Sequence, residues 1–128
     1  MRSSKYYVTR ANNSLKELEK VYKTMTIDDF LMKNEFEATK KCNEFRHYYR
    51  LVVLNSCRAV LTDVCIDYKS IENLLYYVVE NYDYAGEFKD VNELVNMFNF
   101  AVIIYDVDLA SKAAGLLLSS LRKVVKHL

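Results

Sequence analysis

A chain of 128 residues with one even composition is long enough to bury a core without metal or disulfide staples, and it reads as one domain spanning 1–128. Its 52% apolar and 27% charged residues exclude a disordered or fibrous chain, and no proline with only two glycines excludes the turn-rich all-β folds. A net charge of +1 hides an uneven distribution: residues 1–60 carry net +5, residues 61–110 net −8 and residues 111–128 net +4.

Helical periodicity accounts for nearly the whole chain. The first helix is expected over Ser4–Met25, with Tyr7, Ala11, Leu15, Leu18, Tyr22 and Met25 on one face. Thr26 with Asp29 three residues on reads as the N-cap of a long second helix, with a break possible over Phe30–Phe36. Its stripe is Ala38, Cys42, Phe45, Tyr49, Val52, Val53, Ser56 and Val60, fading near Thr62–Asp67. The third helix carries Ile71, Leu74, Leu75, Val78, Val79 and Tyr82 and stops at Asp83-Tyr84-Ala85-Gly86, where Gly86 suits a left-handed C-terminal position. Asp90 with Glu93 is the next capping pair, opening a fourth helix with Val91, Leu94, Val95, Phe98, Ala101, Val102 and Tyr105 inside. Asp106-Val107-Asp108 is the last connection. Asp108 is expected to cap a fifth helix with Leu109, Ala113, Leu116, Leu117, Ser120, Leu121, Val124 and Leu128 inward. Gly115, Ala113, Ala114, Ser119 and Ser120 offer room for a close helix approach. The expected fold is all-α, an antiparallel bundle of four to five helices with short loops.

The three cysteines, Cys42, Cys57 and Cys65, are odd in number and lack the spacing of a zinc ligand set, so they read as reduced, half-buried thiols. The N-terminal MRSSKYYVTRANN has no apolar core of signal-peptide length and the most apolar runs, Phe98–Tyr105 and Leu116–Leu118, fall short of a membrane span, which points to a cytoplasmic protein. The acid pairs Asp28/Asp29, Glu35/Glu37 and Asp106/Asp108 fall at loops or helix starts, where caps and dipoles favour carboxylates. No metal and no cofactor is expected.

The densest basic cluster holds Lys40, Lys41, Arg46, His47 and Arg50. Cations one helical turn apart gather on one surface, and Tyr48 could stack on a base beside them, the combination single-stranded RNA requires. Against this stands a solvated helix face neutralised by the acidic third and fourth helices. A second string, Arg122 to His127, pairs a cation with an imidazole, the groups that stabilise a phosphorane-like charge and move a proton. On one helix they point about 140° apart, so a shared site needs a groove or a dimer. Without function, both residues serve the helix macrodipole. Eleven tyrosines include adjacent pairs that cannot all be buried, so Tyr48, Tyr76 and Tyr84 are candidate protein-interface residues.

The segments NEFEATKKCNEFRHYYRLVVLNSCRAVL and YDVDLASKAAGLLLSSLRKVVKHL resemble two helices of the HEPN helical-bundle family, with Tyr49, Tyr105, Asp106 and Ala113 at pattern positions. That resemblance implies a dimer and, in active members, metal-independent ribonuclease activity from an Rx4–6H motif, here Arg122 and His127. The chain departs from the motif at the position after Arg122, where the cation Lys123 stands, and Phe100 stands where many members carry arginine. The stretch DVNELVNMFNFAVIIYDVDLASKAAGLLLSSLRKVV is also similar to the central helices of viral Bcl-2-like apoptosis inhibitors, which implies an apolar groove for a BH3 helix. The Asn/Lys/Tyr/Ile-rich composition suits a viral or other AT-rich genome, and the Gly-Arg pair of that groove is missing. The expected function is that of a non-enzymatic interaction module, a homodimer binding a protein partner or RNA through its surface.

Overall fold

The computed structural model describes residues 3–30, 36–61, 70–82 and 86–128, with the backbone alone for 36–39. The side chains of Glu37 and Ala38, and Glu35, Thr62–Asp67, Cys65, the stop at Asp83–Ala85 and Tyr84, lie outside the described residues. Among the described residues five α-helices follow in order: α1 (Ser4–Thr24), α2 (Phe36–Val60), α3 (Ile71–Tyr82), α4 (Glu87–Ile103) and α5 (Val107–Lys126). The described residues contain no strand, and the chain is the all-α bundle its periodicity predicts.

The Ser3 hydroxyl accepts a hydrogen bond from the Tyr6 backbone N–H and opens α1, which buries Ala11, Leu15 and Leu18. The expected cap at Thr26–Asp29 forms, but it serves a different element. The Asp29 carboxylate accepts from the Thr26 N–H at 2.6 Å and from its hydroxyl at 3.3 Å, closing a short 3₁₀ turn at Ile27–Phe30. That turn drops Phe30 into the core, and α2 begins only at Phe36. Lys41 Nζ donates to the Thr24 carbonyl and Ser4 Oγ to the Ala59 carbonyl, each at 3.0 Å. The start of each helix therefore meets the end of the other, and α1 and α2 lie side by side in opposite senses.

The core centres on α2. Phe45 is fully buried and touches four rings, Tyr22, Phe30, Tyr49 and Phe98, at centroid distances of 5.5–6.4 Å. Cys42 before it and Val52, Val53 and Ser56 after it share this face and are buried as their helical spacing predicts, and Cys42 and Cys57, expected half-buried, are both fully enclosed. Burial pushes the Cys42 thiol up and the Cys57 thiol up to about 12, so both stay protonated at neutral pH.

Ser56 is a weak point in this face. Its hydroxyl is buried without a hydrogen-bond partner, beside a small void lined by Val53, Leu75, Phe88, Val91, Leu121 and Val124. Ser56→Ala is therefore expected to raise stability by about 1 kcal/mol, because it removes an unpaired buried polar atom. Chemical denaturation would show a later midpoint, and an earlier one would contradict this reading of the void.

At the α3–α4 junction, Gly86 adopts the left-handed conformation (φ 74°), but it caps the start of α4 rather than closing α3. Its carbonyl already accepts from the Asp90 N–H, so α4 starts at Glu87. Asp90 consequently lies in the first turn of α4 and Glu93 beyond it, and neither is at its cap. The helix ends in a Schellman motif: the Asp106 N–H donates to Ala101 O and the Tyr105 N–H to Val102 O. The residue between, Tyr105, takes the left-handed position usually given to glycine (φ 58°), at a cost of about 1–2 kcal/mol for an L side chain. Asp106, not Asp108, caps α5. Its extended backbone aims the carboxylate at the Leu109 N–H, 3.1 Å away, whereas Asp108 lies inside the first turn.

Close approach at Gly115 occurs as expected, and the approaching group is the Tyr22 hydroxyl of α1, which would sit 3.0 Å from an added Cβ. His127 binds the Glu87 carboxylate, so α5 ends beside the start of α4 and the two helices run in opposite senses.

Candidate functional site

The cations gathered by sequence on α2 diverge in the structure, because five residues within eleven positions sweep around the whole helix. Lys40, His47 and Tyr48 line an open cleft of about 630 Å³ between α1 and α2, together with Glu17, Val21, Asn43 and Glu44. Two carboxylates in that cleft oppose any uniform positive field. Lys41 turns to the Thr24 carbonyl and to Asp29, 3.9 Å away. Arg50 points to the opposite side and donates to Glu72 of α3 at 2.6 Å. Partial burial raises the Glu72 pKa, but a backbone N–H, the Arg50 hydrogen bond and charge, and the Ser70 hydroxyl outweigh it and leave the carboxyl below its ordinary value. A depressed acid stabilises the fold above its unfolded pKa and loses that contribution as pH falls through the folded value.

Arg46 goes inward. Its Nε is buried without a hydrogen-bond partner, and its guanidinium reaches the Tyr49 hydroxyl. That hydroxyl donates to Asn99 Oδ1 at 3.3 Å, and burial, more than any neighbouring charge, lifts its pKa. Arg46 and Arg50 thus belong to the junctions of α2 with α4 and α3, and Lys40 and His47 are the cluster's members in the open cleft.

Arg122 and His127 are not brought together. Arg122 faces Glu19 on α1 at 3.5 Å and His127 faces Glu87 on α4, so their partners lie on different helices. Of the candidate interface tyrosines, Tyr76 stands exposed on α3, and Tyr48 is half-buried against His47, its ring centroid 5.0 Å from the imidazole.

The prominent surface feature lies elsewhere. Met97, Phe100, Ile103, Ile104 and Tyr105 are exposed along the outer side and end of α4, with Ile103 at 73% and Phe100 at 57%. Leu116 of α5 is exposed beside them, although its periodicity, like that of Tyr105, places it inside. Leu94, Met97, Leu116, Ser119 and Ser120 line a shallow groove of about 300 Å³ between the two helices. Asp90 and Glu93 stand on its α4 bank and Lys123 on its α5 bank, and among the described residues no ion pair joins them. The sequence signal for this face is the run Phe98–Tyr105, apolar at every position but Asn99. A helix end that is apolar all round cannot bury every side against one bundle.

Among the described residues no group of three or more His, Cys, Asp or Glu is close enough to hold a metal ion, and no helix is long and apolar enough to cross a membrane. Comparison with known protein families, with curated proteins and with solved structures gives no match.

Proposed function

We propose that the chain is a non-enzymatic helical interaction module that acts through its surface and works as a homodimer, with the outer face of α4 and α5 as its contact surface. The exposed apolar set from Met97 to Tyr105, continued by Leu116, carries this reading. Contiguous apolar surface of this kind is what protein association covers. Tyr105, more than half exposed at the end of the same run, extends this surface past the end of α4. The dispersal of the α2 cations and the separate engagements of Arg122 and His127 favour protein contact over RNA binding or cleavage.

Light scattering of the purified chain over a concentration series tests the proposal, with single-stranded RNA incubated in chelator alongside. The expected result is a mass that rises above one chain and RNA that stays intact. Metal-free cleavage lost in His127→Ala would overturn the non-enzymatic reading in favour of the ribonuclease.

A further inference from the structure

The two banks of the α4–α5 groove differ in charge at the same level. Asp90 and Glu93 belong to α4, Lys123 belongs to α5, and below them Leu94 and Met97 on α4 face Leu116 on α5. A twofold axis in the plane of the interface has two simple placements. If it lies across the helices, α4 meets α4 of the second copy in the opposite sense about Met97. Counting residues from Met97, Asp90 then falls opposite Ile104 and Glu93 opposite Ala101, next to Phe100, which sets carboxylates against apolar side chains. If the axis runs along the groove, heights are kept and the banks are exchanged. Asp90 and Glu93 then face the partner's Lys123, and Met97 faces the partner's Leu116. Each contact occurs twice, as an isologous interface requires. Ser119 and Ser120, small residues on the α5 bank, leave room for the opposing helix.

Resting on the proposed function, we infer that the groove is occupied by a second copy of this chain, related by a twofold axis along the groove. α4 of each copy seats on α5 of the other, forming an intermolecular four-helix layer closed at one end by Asp90 and Glu93 against the partner's Lys123. Charge complementarity selects this arrangement. The acids and the lysine, which no ion pair joins among the described residues, become partners between chains, and their exposed position makes the association sensitive to salt.

A charge exchange tests the arrangement, read by sedimentation velocity. Lys123→Glu alone, and Asp90→Lys with Glu93→Lys alone, should each weaken self-association at least tenfold, because each sets like charges against each other on both sides of the twofold. An equimolar mixture should recover a heterodimer as tight as the wild-type homodimer, since acids then meet lysines at both sites. Circular dichroism confirms that each variant keeps its helices. Variants that dimerise like the wild type, or a mixture that gives no heterodimer, overturn this geometry while leaving the α4–α5 face intact as a contact surface. A wild type that stays monomeric at about 100 μM, or captures a BH3 peptide in the groove instead, overturns the second copy as occupant.

Discussion

Phe45→Ala is expected to cost about 3–5 kcal/mol, a large fraction of the whole stability of an ordinary domain. Phe45 is the hub of the aromatic core, in contact with rings from α1, from the 3₁₀ turn, from its own helix and from α4. Truncation removes the transfer free energy of a fully buried ring and leaves a cavity that four large neighbours cannot collapse into without leaving their rotamers. Each ring pair adds about 0.5–1.5 kcal/mol beyond area, so the upper half of the range is expected. Thermal unfolding followed by circular dichroism should drop by about 10–20 °C. His47→Ala, two residues away on the solvent side of the same helix, should stay within about 0.5 kcal/mol of the wild type. Equal effects from the two substitutions would contradict the placement of α2.

The second large effect is on association. Phe100→Asp combined with Ile103→Asp is expected to abolish self-association while leaving the melting temperature of the isolated chain nearly unchanged. Both side chains stand more than half exposed, so their loss removes little from the core. At the centre of an interface an aromatic or aliphatic anchor is worth about 2 kcal/mol or more, and an unpaired carboxylate adds a desolvation cost on top. Two such changes in each of two copies weaken a dimer by well over about a hundredfold. Light scattering should give a single-chain mass at every concentration at which the wild type exceeds it. A variant that associates like the wild type would show that another surface holds the copies together.

Much of the core was legible because helical periodicity reports directly which side of a helix is apolar. Cys42, Phe45, Tyr49, Val52, Val53 and Ser56 on α2, and Leu117, Leu121 and Val124 on α5, are buried as their spacing predicts. Periodicity does not report how much apolar surface the neighbours can cover. Leu116 and Tyr105 fit the inward pattern and yet face solvent, since the α4–α5 pair carries more apolar width than the remaining helices bury. The charge partners were illegible for a related reason. Arg50 with Glu72, and Arg122 with Glu19 across 103 residues of sequence, depend on the rotation of one helix against another. Caps were legible in type but shifted in place: Asp106 rather than Asp108, and Gly86 at a beginning rather than an end. Each pair of alternatives fits the local sequence, and only the backbone path selects between them.

The claim that the outer α4–α5 face makes the useful contact is tested most directly by methyl NMR of the wild-type chain on dilution. The account predicts concentration-dependent shifts at Leu94, Met97, Ile103, Ile104 and Leu116, with Val21 of the α1–α2 cleft unmoved. Shifts centred on Val21, or a spectrum that ignores concentration while the mass changes, would contradict it.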